Sequence, residues 1–269
     1  MLSYSLRIAT NKAVSSVFTG SKFLRTSTPI YRRDYSTVEY STAAAAKPAP
    51  QKEANAEKIT TIDPLDHPDF FGVHKLFTVK DLFDARVHYG HKIGTLDDRM
   101  RPFIFGSRLG HLIFDLDQTA DFLRAALNFT AHIAFRDGII LFVSRNPLAT
   151  HLVEKTAKEC QEFAHTRFWK PGTFTDATKE FKAVTRLPDL CIFITTLNDV
   201  LTQQHGITEC AKMLIPSVAI VDTNCNPNLV TYPVPGNDDS LASIELYCSL
   251  FKEAILRGKK ARNKIMDAS

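Results

Sequence analysis

Three runs of consecutive apolar residues mark the second half of the chain: residues 139–143, 190–194 and Ser217–Val221. A strand with one wet face alternates apolar and polar positions, whereas an unbroken run needs cover on both faces. Between the runs the spacing becomes helical. Pro147 suits the first turn of a helix expected to end near Phe163, and a second helical stretch covers residues 207–214, closed by Pro216. Residues 232–234 read as a fourth, short strand. Asp238 or Asp239 is expected to cap a last helix with Leu241, Ile244, Cys248, Phe251 and Ile255 on one face. This alternation predicts an α/β fold, a parallel sheet between two helical layers.

The pattern before residue 139 is different. Thr78 is placed to cap a short helix through Val87, anchored by Leu82, Phe83, Ala85 and Val87 and broken at Gly90. Residues 103–105 and 112–114 are apolar runs split by Gly106 and Gly110, which predicts a hairpin-like pair. Asp117 is expected to open a long helix. Leu116, Ala120, Leu123, Leu127, Thr130 and Ala134 form one stripe of it, and Phe122, Ala126, Phe129 and Ile133 an adjacent one. Two stripes require cover on more than one side. Residues 59–77 carry Pro64, Pro68, Phe70 and Phe71, which suits a segment lying against its own domain or a partner. Residues 36–58, with Ala43 to Ala46, Pro48 and Pro50, offer no core and read as a linker. The folded domain is expected over residues 78–257, followed by a basic tail, residues 258–269.

Charge alters this picture at the N-terminus. Residues 1–35 hold Arg7, Lys12, Lys22, Arg25, Arg32 and Arg33, much Ser and Thr, and one acid, Asp34. That composition predicts a mitochondrial transit peptide, cut after Tyr35, and a matrix location. The whole chain has 33 Lys and Arg against 29 Asp and Glu. Without the leader, 27 basic residues face 28 acidic ones, a net charge of −1. Nucleic-acid contact must then come from local patches. No apolar run approaches the roughly 20 residues that a membrane helix needs. The five cysteines have no C-x-x-C spacing, which fits unpaired thiols, with Cys225 the one expected in a loop.

Chemistry has few places to sit. Ligands of an open α/β sheet bind at the carboxyl ends of its strands. Those ends carry Ser144-Arg145-Asn146, Thr195-Thr196, Asp222 and Asp238-Asp239. Asp222 with Asp238 or Asp239 would be a carboxylate pair for an enzyme, but the same residues serve equally to cap a helix and tie down a turn. No glycine-rich phosphate loop occurs, so no nucleotide cofactor is expected. His88 and His91 have H-x-x-H spacing without a third ligand nearby, and no metal is expected. Basic residues cluster at Arg86, Lys92, Arg99, Arg101 and Arg108, joined by Arg145 and by Arg167 and Lys170 beside Trp169. Arginine with aromatic rings suits phosphate contact and base stacking.

Several phrases resemble a known family. They are Phe83-Asp-Ala-Arg-Val-His-Tyr-Gly-His91, Arg101-Pro-Phe-Ile-Phe-Gly-Ser-Arg108, Leu187-Pro-Asp-Leu190, Ile215-Pro216, Ala219-Ile-Val-Asp-Thr-Asn224, Asn226-Pro227 and Pro233-Val-Pro-Gly-Asn-Asp-Asp239. In combination and order they resemble the S-two family of small-subunit ribosomal proteins, in its animal mitochondrial form. The resemblance implies a Rossmann-like fold of about five strands without nucleotide binding. It also implies a place between head and body on the back of the small subunit, contacts to rRNA and neighbouring ribosomal proteins, no catalysis and no homo-oligomer. By matching block it makes Arg86, His88, His91, Arg101 and Arg108 contact candidates. Bacterial members insert a long helical hairpin where only residues 176–186 stand here, so the hairpin is expected to be missing. Two other readings stay open: an α/β enzyme using the strand-end aspartates, and an interaction module outside the ribosome.

Overall fold

The structure is a computed structural model that describes residues 64–65, 67–198 and 202–268. The expected leader and the whole of the expected linker, residues 36–58, lie outside the described residues.

Thr78 caps α1 (Val79–Asp84) as expected, and the capping box is complete: Asp81 returns a carboxylate oxygen to the Thr78 N–H at 2.9 Å. The helix stops earlier than Val87, because Arg86 takes a left-handed conformation, φ 62°. Gly90 is therefore not the helix stop. It lies inside a strand the sequence did not reveal, β1 (Tyr89–Lys92). A Cβ at Gly90 would lie 2.5 Å from Thr223 Cγ2. Its absence lets the strand press against the end of the main sheet, where the His91 N–H donates to Thr223 Oγ1 at 3.0 Å.

The expected hairpin is β2 (Ile104–Arg108) and β3 (His111–Phe114). Its two-residue turn puts Leu109 at φ 53° and Gly110 at φ 81°. Two positive values define the primed turn whose twist matches antiparallel strands. The three strands form an antiparallel sheet in the order β1-β3-β2.

Asp115 rather than Asp117 caps α2 (Leu116–Phe135), its side chain accepting from the Asp117 N–H at 3.2 Å. Then follow β4 (Ile140–Val143), α3 (Thr150–Cys160), β5 (Phe163–His165), α4 (Ala177–Phe181), β6 (Leu190–Phe193), α5 (His205–Lys212), β7 (Ser217–Val221), β8 (Tyr232–Pro235) and α6 (Leu241–Ala268). Pro147 precedes α3 by a turn, and α3 ends at a left-handed Gln161, before Phe163, which instead begins β5. The second sheet is parallel throughout, in the order β5-β4-β6-β7-β8. The three apolar runs are its three inner strands. Pro233 and Pro235 have no N–H to give, so β8 can only be an edge.

Cores on the two faces complete the three layers. One gathers α2, α3 and α6, with Leu123, Leu127, Phe142, Ile192 and Phe251 fully buried. The other collects Met100, Phe114, Trp169, Phe193 and Ile207. Phe70 and Phe71 lie against α2 of their own domain, with the Phe71 ring 4.9 Å from that of His132. The basic stretch after residue 257 is the end of α6. Arg257 Nη1 donates to the Gly72 carbonyl at 2.7 Å, Lys259 Nζ to that of Cys160 at 2.6 Å, and Arg262 pairs with Asp137. Gly258 permits this: a Cβ there would lie 2.4 Å from the Ala131 carbonyl oxygen on α2. All five cysteines are buried and free. Cys225 is no exposed loop thiol: burial pushes it up to about 12 while Thr196 Oγ1 donates to its sulfur at 2.8 Å.

Candidate nucleic-acid interface

Two clefts flank β1, and Tyr89, Gly90 and His111 line both. The first lies at the carboxyl ends of β7 and β8. Asp222 follows β7 and is 1% exposed, and Asp238 follows β8 and is 8% exposed. His91 reaches in from β1. Its Nδ1 lies 3.1 Å from Asp222 Oδ2 and its Nε2 3.3 Å from Asp239 Oδ2. The hydrogen bond to Asp222 raises the His91 pKa to about 9 against the opposing effect of burial, helped by the charges of Asp222, Asp239 and Asp238. Burial, with Asp222 and Asp239 close by, drives the Asp238 carboxyl well above the usual range. An imidazolium thus balances the carboxylates, and its charge works against the upward push on Asp238.

The turn that leads into α6 is held by a neighbour of these aspartates. Asn237 Oδ1 accepts from the Asp239 and Ser240 N–H groups at 2.9 and 3.3 Å, and its Nδ2 donates to the Arg86 carbonyl at 3.1 Å. One side chain so ties the start of α6 to the left-handed corner after α1. The ligand atoms of His91, Asp222 and Asp239 lie within 4.8 Å of one another, and among the described residues they are the group that could hold a metal ion. Both ring nitrogens of His91 are already engaged with carboxylates. His88 takes no part in it. Its ring stacks on Phe83 at 4.5 Å and 8° and tilts against Tyr89 at 4.2 Å. The H-x-x-H pair therefore points to two different neighbourhoods.

The second cleft, about 660 Å³, opens between α1 and the antiparallel sheet. Arg108, His88 and His111 line it together with Phe83, Tyr89 and Leu109. Other expected contact residues spread out. Arg86, Lys92, Arg99 and Arg167 are exposed. Arg101 pairs with Asp98 at 2.7 Å and Lys170 with Glu180 at 2.6 Å, so their charges are already met. Arg145 lies over the Phe168 ring at 5.3 Å and shares a third cleft with His91 and Asp239. Trp169 is no stacking platform, being 1% exposed and packed on Phe174. Exposed rings in this region are Phe83, Tyr89, Phe105 and Phe168. Alternation within β2 was the available signal for Phe105, because its neighbours Ile104 and Gly106 turn inward.

A parallel α/β domain with a small sheet set across its strand ends, and charges that close on each other, is a scaffold for binding. Comparison with known proteins agrees. The family model of ribosomal protein S2 matches residues 82–190 and 177–258, which hold every phrase quoted above. The small ribosomal subunit protein uS2m of Bos taurus is 53% identical over 225 residues, spanning 84% of this chain and 77% of that protein. The small ribosomal subunit protein uS2 of Rickettsia typhi is 33% identical over 227 residues, 70% of this chain and 77% of that one. That of Rickettsia prowazekii is 34% identical over the same span. The chain belongs to the ribosomal protein S2 family, a family of structural components and not of enzymes.

Proposed function

We propose that this protein is a structural constituent of the mitochondrial small ribosomal subunit, binding small-subunit rRNA and neighbouring ribosomal proteins. The observation that carries the proposal is the 53% identity to bovine uS2m across 84% of the chain. The basic, acid-poor residues 1–35 support the location, acting as a leader removed after Tyr35. Residues 36–77 form a linker and extension, residues 78–257 the α/β domain, and the basic residues beyond it the end of α6. Among the described residues no helix is long and apolar enough to cross a membrane.

Contacts to rRNA and neighbours come from Arg86, His88, His91, Lys92, Arg99, Arg101, Arg108, Arg145, Arg167 and Lys170. They differ in freedom. Among the described residues no ion pair holds the side chains of Arg86, Lys92, Arg99, Arg108 or Arg167, so these meet phosphate at the least cost. Between Trp169 and β6 the chain carries the five-residue α4, which supports the reading that the long hairpin of bacterial members is missing here and its space left to a neighbouring protein or to none. Sucrose-gradient sedimentation of mitochondrial lysate tests the proposal. The protein is expected with the small subunit, and a protein that stays at the top of the gradient would sink it.

A further inference from the structure

The 660 Å³ cleft between α1 and the antiparallel sheet falls in the range of sites that hold small molecules. Its walls are unusual for a face left to water. Phe83 is 57% exposed, Tyr89 49% and Leu109 94%. The His88 ring stacks on Phe83 and tilts against Tyr89, so a flat guest meets an ordered aromatic cluster. Among the described residues no acid lines this cleft, and no partner holds the Arg108 guanidinium at its rim. The neighbouring cleft, lined by Asp222 and Asp239, would repel a phosphate.

We infer that this cleft seats one unstacked nucleotide of single-stranded RNA, its base on the Tyr89 and Phe83 rings and its phosphate on Arg108. This rests on the ribosomal reading above and adds a site to it. Aromatic faces accept any base, and each base arrives with the anion that Arg108 lacks. An apolar segment of protein would cover the rings but strand the guanidinium without a counter-charge. Burial lowers the pKa of His88, so the middle ring of the stack stays neutral and adds no charge of its own.

The test uses small subunits assembled in cells with the full chain, wild type or carrying Tyr89→Leu or Arg108→Ala. Short-wave ultraviolet light is expected to crosslink one rRNA nucleotide to the peptide containing Tyr89. Tyr89→Leu should abolish that crosslink, and in both variants the same nucleotide should become several-fold more reactive to base-modifying and ribose-acylating probes. Among the described residues no partner holds the Arg108 side chain, so its truncation leaves the fold intact and keeps the test decisive if Tyr89→Leu assembles poorly. Variant subunits whose rRNA reactivity matches wild type would overturn the inference. So would crosslinking of the Tyr89 peptide to a protein alone. Failure of wild-type protein to sediment with the subunit would instead defeat the ribosomal reading.

Discussion

The two clefts on either side of β1 share a wall and little else. On the side facing β7 and β8, His91 is held between Asp222 and Asp239, and Asp238 is buried behind them. On the side facing α1, Arg108 lines a cleft with the rings of Phe83, His88 and Tyr89, and among the described residues no partner holds its guanidinium. A chain whose net charge is close to zero without its leader has sorted its charges by face. The acidic side spends them internally, joining the small sheet to the large one. The aromatic side keeps its charge available. Net charge therefore says little about where such a protein meets RNA, because the field that matters is local.

The sharpest way to break the comparison is to remove the link on the acidic side. His91→Leu leaves the Asp222 carboxylate, 1% exposed, without its counter-charge. Losing one partner of a buried pair costs about 3 kcal/mol, to be read as a lower denaturation midpoint of the purified domain. Retained stability would show that the His91–Asp222 pair adds little to the join between the two sheets.

Next comes the wall itself. Gly90→Ala drives a methyl group against Thr223 Cγ2, now 2.5 Å from where it would sit. Overpacking of this kind costs about 1–3 kcal/mol, and calorimetry would measure it. An unchanged melting temperature would mean that β1 can lift off the strand ends freely.

Titration separates the clefts more gently. The folded pKa of His91 is raised to about 9, above an unfolded value near 6.5. Its contribution is complete below about pH 6.5 and is lost as pH rises to about 9. Stability should therefore fall with pH across that window, and His91→Gln should flatten the slope. Cys160 and Cys225, pushed up to about 12 in the fold, ionise near about 8.5 once unfolded, so they steepen only the upper end of this window and the His91 effect is read below about pH 8. A slope that survives His91→Gln would place the titrating group elsewhere.

The smallest effects on the isolated chain belong to the aromatic side. Arg108→Ala should change folding stability by less than about 0.5 kcal/mol, as for an unpartnered surface residue. In assembly the order reverses. Arg108→Ala should reduce incorporation into small subunits more than Arg101→Ala, whose guanidinium is already paired with Asp98, and Lys260→Ala should matter least. Equal incorporation of all three would remove the distinction between free and satisfied arginines.

The inner strands β4, β6 and β7, the hairpin and α2 could be read from the chain, because each carries its own period or turn chemistry over several residues. The shortest strands could not. β5 spans three residues, and β1 reads Tyr-Gly-His-Lys, with no apolar alternation to betray it. Helix ends moved by a few residues for local reasons: the left-handed Arg86, the earlier cap at Asp115, and the close approach allowed by Gly258. The candidate site was half legible. Asp222, Asp238 and Asp239 were visible as strand-end acids and His91 as part of a motif, but nothing in the order of residues says that His91 lies between two of them. Trp169 had the composition of a stacking ring and is buried. Phe83 and Tyr89, inside the most telling phrase, are the rings left in water.

The amino-acid order by itself determined the α/β class and the family, because periodicity, turn residues and specific phrases are local properties of a chain. Tertiary structure alone decided which charges are spent and which remain. Whether a carboxylate faces an imidazole, or an arginine faces water, depends on contacts between residues more than a hundred positions apart. Burial then sets what each such contact is worth. His91 and Arg108 both belong to the small antiparallel sheet, and only the fold gives one of them to Asp222 and leaves the other facing solvent.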